Sequence, residues 1–268
     1  MSKPFRRLLL TGAAGGLGRV LRPHVAAWTD VLRLSDRAAC GEPVDGEEIL
    51  QADLADKAAV HALVEGVDAV LHFGGVSLES PFEQLLPANI TGLYNLYEAV
   101  HRSGVRRVVY ASSSHVMGFY PQSQTVGIDE PLRPDCLYAV TKCFGEALSR
   151  YYYDRFGIET VCLRIGSSFA EPKNPRMLVS YLSYDDLVEL VRCALFTSRV
   201  DHSIIYGMSD NPVRWWNNDK AGHLGFHAKD SSAVFADRFR SAGAAGGRDD
   251  PTQIYQGGPW VIAGPIEQ

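Results

Sequence analysis

The chain predicts an α/β fold: a doubly wound parallel sheet with helices on both faces, and a small C-terminal region laid over the ligand side. Three observations carry that expectation. Apolar runs alternate with amphipathic stretches through the first two-thirds of the sequence, a glycine-rich turn follows the first apolar run directly, and the character of the chain changes after Ile165. Strands separated by helical segments require right-handed crossovers, which build a parallel sheet covered on both faces.

The elements follow in order. Arg7 to Thr11 is a short apolar run, Leu17 to Trp28 an amphipathic helix, and Val31 to Ser35 a second strand. Ala69 to Phe73 reads as a strand, Asn89 to Arg102 as a helix, Arg107 to Ala111 as a strand, Tyr138 to Phe156 as a helix and Thr160 to Arg164 as a strand. Beyond them come a Pro- and Asn-containing loop at 171–175, a helix over Tyr184 to Phe196 and a strand at Ser203 to Tyr206. The small-residue run 241–247 reads as a linker to a C-terminal tail. The expected division is a dinucleotide-binding unit over residues 1–168 that also carries the catalytic groups, with a substrate-binding region over 169–268 that is not an independent domain.

Composition narrows the function. Apolar residues make up 46% and charged residues 21% of the 268, as in an ordinary globular protein, and the net charge of −5 has no basic stripe. That argues against nucleic acid and for a small molecule as partner. No apolar stretch approaches the ~20 residues of a membrane span, and the basic start lacks a signal-type apolar core, so a cytoplasmic location is expected. Cys40, Cys136, Cys143, Cys162 and Cys193 are scattered and odd in number, which suits reduced thiols and neither disulfides nor a metal site.

The turn Thr11-Gly-Ala-Ala-Gly-Gly-Leu-Gly18 lies between a strand and a helix, the context in which such glycines bind phosphate. Gly12 permits the tight turn, Gly15 the backbone approach to a pyrophosphate, and Gly18 close helix–strand packing, while Gly16 and Leu17 open the helix whose N–H groups face the anion. The architecture is therefore of Rossmann type. Asp36 ends the second strand eighteen residues beyond Gly18, where its carboxylate can bind both ribose hydroxyls and repel a 2′-phosphate. The expected cofactor is NAD; Arg37 is the contrary signal, since an arginine there suits NADP. Asp53-Leu54 and Phe73-Gly74-Gly75 lie at strand ends along the same cleft.

Tyr138 and Lys142 are one helical turn apart on one face. A phenol needs a nearby cation before it can serve as a general base, and Lys142 is placed to provide one. Upstream, Ser112, Ser113 and Ser114 carry hydroxyls to the end of a strand, where one can hold the reacting oxygen. No metal is called for.

On TGAAGGLG, Asp36, Asp53-Leu54, the Phe73-Gly-Gly turn, Asn89, the serine run and the Tyr138/Lys142 pair, the chain resembles the extended branch of the short-chain dehydrogenase/reductase superfamily. The resemblance implies a Ser113, Tyr138 and Lys142 triad, Ser113 being the serine twenty-five residues before the tyrosine, with Asn89 supporting a water relay behind the lysine and Ser168 at the cofactor. Further segments, Gly118 to Pro121, Arg164 to Phe169, Asn174 to Met177, Trp215-Trp216 and Tyr255 to Gly258, resemble the uronate dehydrogenases. Only about one hundred residues follow Ile165, too few for the larger domain that holds nucleotide sugars elsewhere in the branch. The resemblance implies NAD-dependent oxidation of galacturonate or glucuronate at the anomeric carbon to the aldarolactone, with Ser77, Ser113, Ser114, His115, Ser167 and Arg176 at the sugar. A sugar epimerase or dehydratase that retains its NAD is the alternative. One departure stands out: Ser114 replaces the asparagine the family carries before its histidine, so a sugar contact there is lost or water-mediated. Tyr94, Tyr97 and Tyr151 to Tyr153 fit either core packing or contact with a second subunit of a homo-oligomer.

Overall fold

A computed structural model describes residues 3–240 and 249–264; the 241–247 linker expectation lies outside the described residues. The chain runs β1 (Phe5–Thr11), α1 (Gly16–Ala26), β2 (Thr29–Ser35), β3 (Glu47–Ile49), α2 (Lys57–Val64), β4 (Ala69–His72), α3 (Phe82–Leu85), α4 (Gly92–Arg102), β5 (Arg107–Ser113), α5 (Leu137–Phe156) and β6 (Glu159–Ile165). The short pieces β7 (Ser167–Ser168), α6 (Met177–Ser180) and β8 (Tyr181–Leu182) precede α7 (Tyr184–Phe196) and β9 (His202–Gly207), and a final turn of helix, α8 (Pro251–Ile254), lies near the C-terminal end.

Seven strands form one sheet in the order β3-β2-β1-β4-β5-β6-β9, every pairing parallel. This is the predicted doubly wound α/β architecture. β7 and β8 make a separate two-residue parallel pair. The central strands are buried on both faces, so they read as unbroken apolar runs instead of alternating ones. Leu8, Leu10 and Leu71 pack with Leu21, Val25 and Leu190 on one face, and Leu9, Val70 and Val108 with Val60, Leu96 and Tyr97 on the other.

The strand order reverses between β1 and β4, which opens a crevice beyond the carboxyl ends of the strands. Two arginines secure its scaffold from behind: Arg33 Nη1 donates to the carbonyls of Ala62, Leu63 and Glu65 at the end of α2, and Arg107 Nη1 to those of Ala194, Leu195 and Thr197 at the end of α7. Both satisfy helix-end carbonyls that have no intrahelical donor.

Two details differ from the sequence reading, and one choice it left open is resolved in part. The strand expected to stop at Ala111 continues to Ser113, because Ser112 and Ser113 pair with Arg164 and Ile165 of β6; Ser114 then opens a 3₁₀ turn, Ser114–Met117. The helix expected to begin at Asn89 is preceded by α3 and a π-helical segment, Leu86–Thr91, which contains Asn89. The tyrosines divide: Tyr97 and Tyr152 stack in the core with centroids 5.1 Å apart, whereas Tyr94 and Tyr151 are exposed. All five cysteines are unpaired. Among the described residues no helix is long and apolar enough to cross a membrane.

Candidate active site

The crevice has two ends, one around the glycine turn and one around Ser113, Tyr138 and Lys142. At the first, Gly12, Asp36, Asp53, Leu54, Gly74 and Gly75 line one cleft together with Thr11 and Arg37. Gly12 has φ +72°, and a Cβ there would overlap the Phe73 carbonyl; a Cβ on Gly18 would overlap the Gly12 carbonyl. Those two glycines are demanded by the protein's own packing. Gly16 meets nothing within 4 Å, and Gly15 only the Gly12 carbonyl at 3.2 Å. No side chain caps the start of α1, so its free N–H groups and this open space suit the pyrophosphate of a dinucleotide. Leu17 packs against the core behind them.

Asp36 does more than line the cleft. Its Oδ2 accepts from Ala14 N at 3.1 Å and its Oδ1 from Ala38 N at 3.0 Å, so the carboxylate also braces the glycine turn. On the other wall, Thr11 Oγ1 lies 2.7 Å from His72 Nδ1 and accepts from Gly74 N at 3.2 Å. Burial, reinforced by the charge of Lys142, pushes His72 down to about 3, so it stays neutral.

At the other end β5 delivers Ser113 and α5 delivers Tyr138 and Lys142, the candidate catalytic groups. Lys142 Nζ donates to the Ala111 carbonyl at 2.8 Å and lies 5.6 Å from the centre of the Tyr138 ring. Burial alone pushes Lys142 down to about 8. Burial also drives Tyr138 well above its usual range, while a hydrogen bond with Ser113 opposes the rise and the nearby Cys136 and Asp135 reinforce it. The phenol thus needs further positive charge or hydrogen bonding before it can lose its proton near neutral pH.

The buried lysine predicts a pH-dependent stability. Its folded-state value of about 8 lies below the ordinary 10.5, so the folded form binds fewer protons than the unfolded chain between those values. The desolvation cost is complete below pH 8 and disappears as pH rises toward 10.5. Lys142→Met is therefore expected to gain stability relative to the unsubstituted protein at pH 7 and to lose that advantage progressively by pH 10; urea unfolding of both cofactor-free proteins across that range checks it.

The start of α5 is held from outside. Cys136 at the N-cap makes no side-chain cap, and Glu79 instead accepts from Leu137 N at 3.2 Å and Tyr138 N at 2.8 Å. Asn89, in the π-helical segment, pairs with both backbone groups of Val76 and donates to Thr141 Oγ1 at 2.9 Å. Both residues tie the loop after β4, which carries the exposed Ser77, to the helix bearing Tyr138 and Lys142. A π-segment at such a junction is a common mark of function.

Behind Ser113, Glu146 and Arg164 form a fully buried ion pair, Nε–Oε1 at 3.0 Å and Nη2–Oε2 at 2.9 Å. Ser112 Oγ donates to the same Glu146 Oε1 at 2.7 Å, and Arg164 Nη1 reaches the Tyr206 hydroxyl at 3.1 Å. The pair anchors the end of β5.

The segment 249–264 closes the site. Gln256 Nε2 donates to the carbonyls of Pro121 and Gln124, and the Gln256 carbonyl accepts from Arg176 Nε at 2.7 Å. Trp260, in a 3₁₀ turn (Gly258–Ile262), lies 4.4 Å from the His115 ring and 5.9 Å from that of Tyr138. Arg176 sits over Trp215 at 5.7 Å, and burial pushes it down to about 10 against the pull of Asp135. Its two Nη atoms have no hydrogen-bond partner among the described residues.

Of the other sugar-site candidates, Ser114 is buried beside His115, Ser167 Oγ is engaged with Ser180 Oγ at 2.9 Å, and Ser77 makes no side-chain hydrogen bond among the described residues. The buried Ser168 Oγ also has no partner there. Sequence reasoning did not single out Glu79, Asp135, Glu146 or Trp260. Asp135 lies three residues before Tyr138 and Glu146 one turn beyond Lys142, but neither spacing has meaning until the fold is known.

A model of the NAD dependent epimerase/dehydratase family matches residues 8–195. The uronate dehydrogenase of Pseudomonas putida is 53% identical over 98% of this chain and 98% of its own. The chain belongs to the uronate dehydrogenases of that family. It is an NAD-dependent oxidoreductase. The crystal structure of uronate dehydrogenase from Agrobacterium tumefaciens superposes with a TM-score of 0.94 at 44% identity, covering 98% of this chain and 99% of that one. A tyrosine-to-alanine mutant of that enzyme complexed with NAD gives 0.95 at 44% identity, covering 98% and 100%.

Proposed function

We propose that the protein oxidises a hexuronate, galacturonate or glucuronate, at its anomeric carbon to the aldarolactone. The observation that carries this reading is Arg176: a half-buried guanidinium whose outer nitrogens lack a hydrogen-bond partner among the described residues, beside the wall that holds His115 and Tyr138. Desolvation of this cation is only partly offset by the charge of Asp135, and a substrate carboxylate taken in a forked pair would complete its compensation.

NAD, when bound, supplies the hydride acceptor; Gly12, Gly15, Gly16, Leu17, Gly18 and Asp36 would hold its phosphates and adenosine ribose, with Asp53, Leu54, Phe73, Gly74, Gly75 and Ser168 along its length. Ser113 would hydrogen-bond the anomeric oxygen and set it against Tyr138. Tyr138 would take the hydroxyl proton as the C1–H bond breaks and the C1–O bond gains double-bond character. Lys142, protonated, would favour the phenolate and pass the proton on, with Asn89 fixing its surroundings through Thr141. Ser77, His115 and Ser167 would meet the ring hydroxyls, and Ser114 would do so through a water. In this account residues 1–168 hold cofactor and catalytic groups and 169–268 supply Arg176 and Trp260, without folding alone, since β9 completes the main sheet. Five unpaired thiols suit a reducing compartment such as the cytoplasm.

The test is NADH formation from uronates and from the matching neutral aldoses. Galacturonate or glucuronate should reduce NAD and the neutral sugars should react far less efficiently; equal efficiency with galactose would remove the carboxylate from the account. In Arg176→Lys, which keeps the charge but not the fork, the uronate KM is expected to rise roughly tenfold or more, with a smaller change in kcat.

A further inference from the structure

We propose that Asp135 is a positioning residue for substrate recognition: it holds His115 as the Nδ1–H tautomer, so that Nε2 offers a lone pair to a sugar hydroxyl. The inference deepens the function proposed above and rests on His115 meeting the sugar.

Four observations support it. Asp135 Oδ2 lies 2.7 Å from His115 Nδ1, and the Asp135 side chain is fully buried. A carboxylate oxygen only accepts, so the proton of a neutral imidazole must sit on Nδ1. The carboxylate has no freedom to move: a Cβ on Gly118 or on Gly257 would overlap Oδ2, so both glycine backbones press against it, and Gly257 belongs to the closing segment that also supplies Trp260. His115 itself is clamped, its ring over Trp260 and its main chain tied to Ser113 Oγ at 3.2 Å, while the described residues offer Nε2 no hydrogen bond. Burial and the charge of Arg176 both disfavour an imidazolium here, against the pull of Asp135. A neutral ring with its donor turned away gives the site a hydroxyl acceptor without a second cation beside Arg176.

The first measurement uses the unsubstituted protein with ¹⁵N-labelled histidine, the His115 ring signals being assigned by their loss in His115→Gln. Nδ1 protonated and Nε2 bare is the expected pattern; a proton on Nε2 would overturn the proposal. Asp135→Asn keeps the shape but can both donate and accept, so a tautomer mixture and about a tenfold rise in uronate KM are expected, with NAD affinity unchanged. In a His115→Ala background the same substitution should leave KM where His115→Ala alone puts it. Multiplying effects in the double variant would make Asp135 merely structural and sink the idea. Should Asp135→Asn fail to fold, the tautomer of the unsubstituted protein still decides. Absence of uronate turnover by the unsubstituted protein would overturn the proposed function, a result the tautomer measurement cannot mimic.

Discussion

Tyr138→Phe is expected to lower kcat by about 10²–10⁴-fold, the span that a single acid–base group contributes, while NAD binding stays within about twofold. The substitution removes one oxygen from a ring that stays packed near Trp260 and under Lys142, so the fold and the dinucleotide end have no reason to change. Burial already drives this phenol above its ordinary range. Activity should therefore depend on the charges that assemble around it, and the residual rate of the phenylalanine variant should lose the pH dependence of the unsubstituted enzyme. Single-turnover rates and NAD titration by fluorescence separate the two effects. Undiminished turnover would remove Tyr138 as the base.

Glu146→Ala is expected to destabilise the protein by about 3–5 kcal/mol, because it leaves the guanidinium of Arg164 buried and uncompensated. Arg164 is 2% exposed and both bonds of its fork end on Glu146. The loss should also reach the chemistry, since Ser112 donates to the same carboxylate and adjoins Ser113. Replacing both partners by apolar residues of similar volume, Glu146→Leu with Arg164→Met, should recover most of the stability, as no stranded charge remains. Urea unfolding of the three proteins checks this; a double variant as unstable as Glu146→Ala would mean that the pair matters for something other than mutual charge compensation.

The fold was readable because its signals are local. Leu8 to Leu10 and Val108 to Val109 are unbroken apolar runs, which only strands covered on both faces require, and the glycine turn sits where a strand must become a helix. β3 and α2 are short and their residues mixed in character, so neither was read as an element; β3 forms only as an edge against β2. Asn89 drew notice as a helical residue, but the partners its side chain reaches, Val76 and Thr141, lie 13 and 52 residues away in sequence.

Site legibility followed the same division. Gly12, Asp36, Tyr138 and Lys142 show themselves through local spacing around a strand–turn–helix unit or one helical turn, whereas Ser113 is picked out from its neighbouring serines only by the family resemblance. Glu79, Asp135 and Trp260 act across 58, 20 and 145 residues respectively, on Leu137, His115 and His115. Nothing in their own neighbourhoods marks them, because each acquires its role only when the sheet brings its partner alongside. Ser167 Oγ shares a hydrogen bond with Ser180 Oγ, which leaves it further capacity toward a sugar hydroxyl; that pairing of β7 with α6 is not visible in the sequence.

The account rests most on where the oxidation occurs. Galacturonate labelled with ¹³C at C1, mixed with the protein and NAD and followed by NMR, reports that position directly. The hemiacetal signal should give way to a lactone carbonyl in step with NADH; a C1 that remains a hemiacetal, at its original or at a new shift, without NADH release would contradict it and favour an enzyme that returns its hydride.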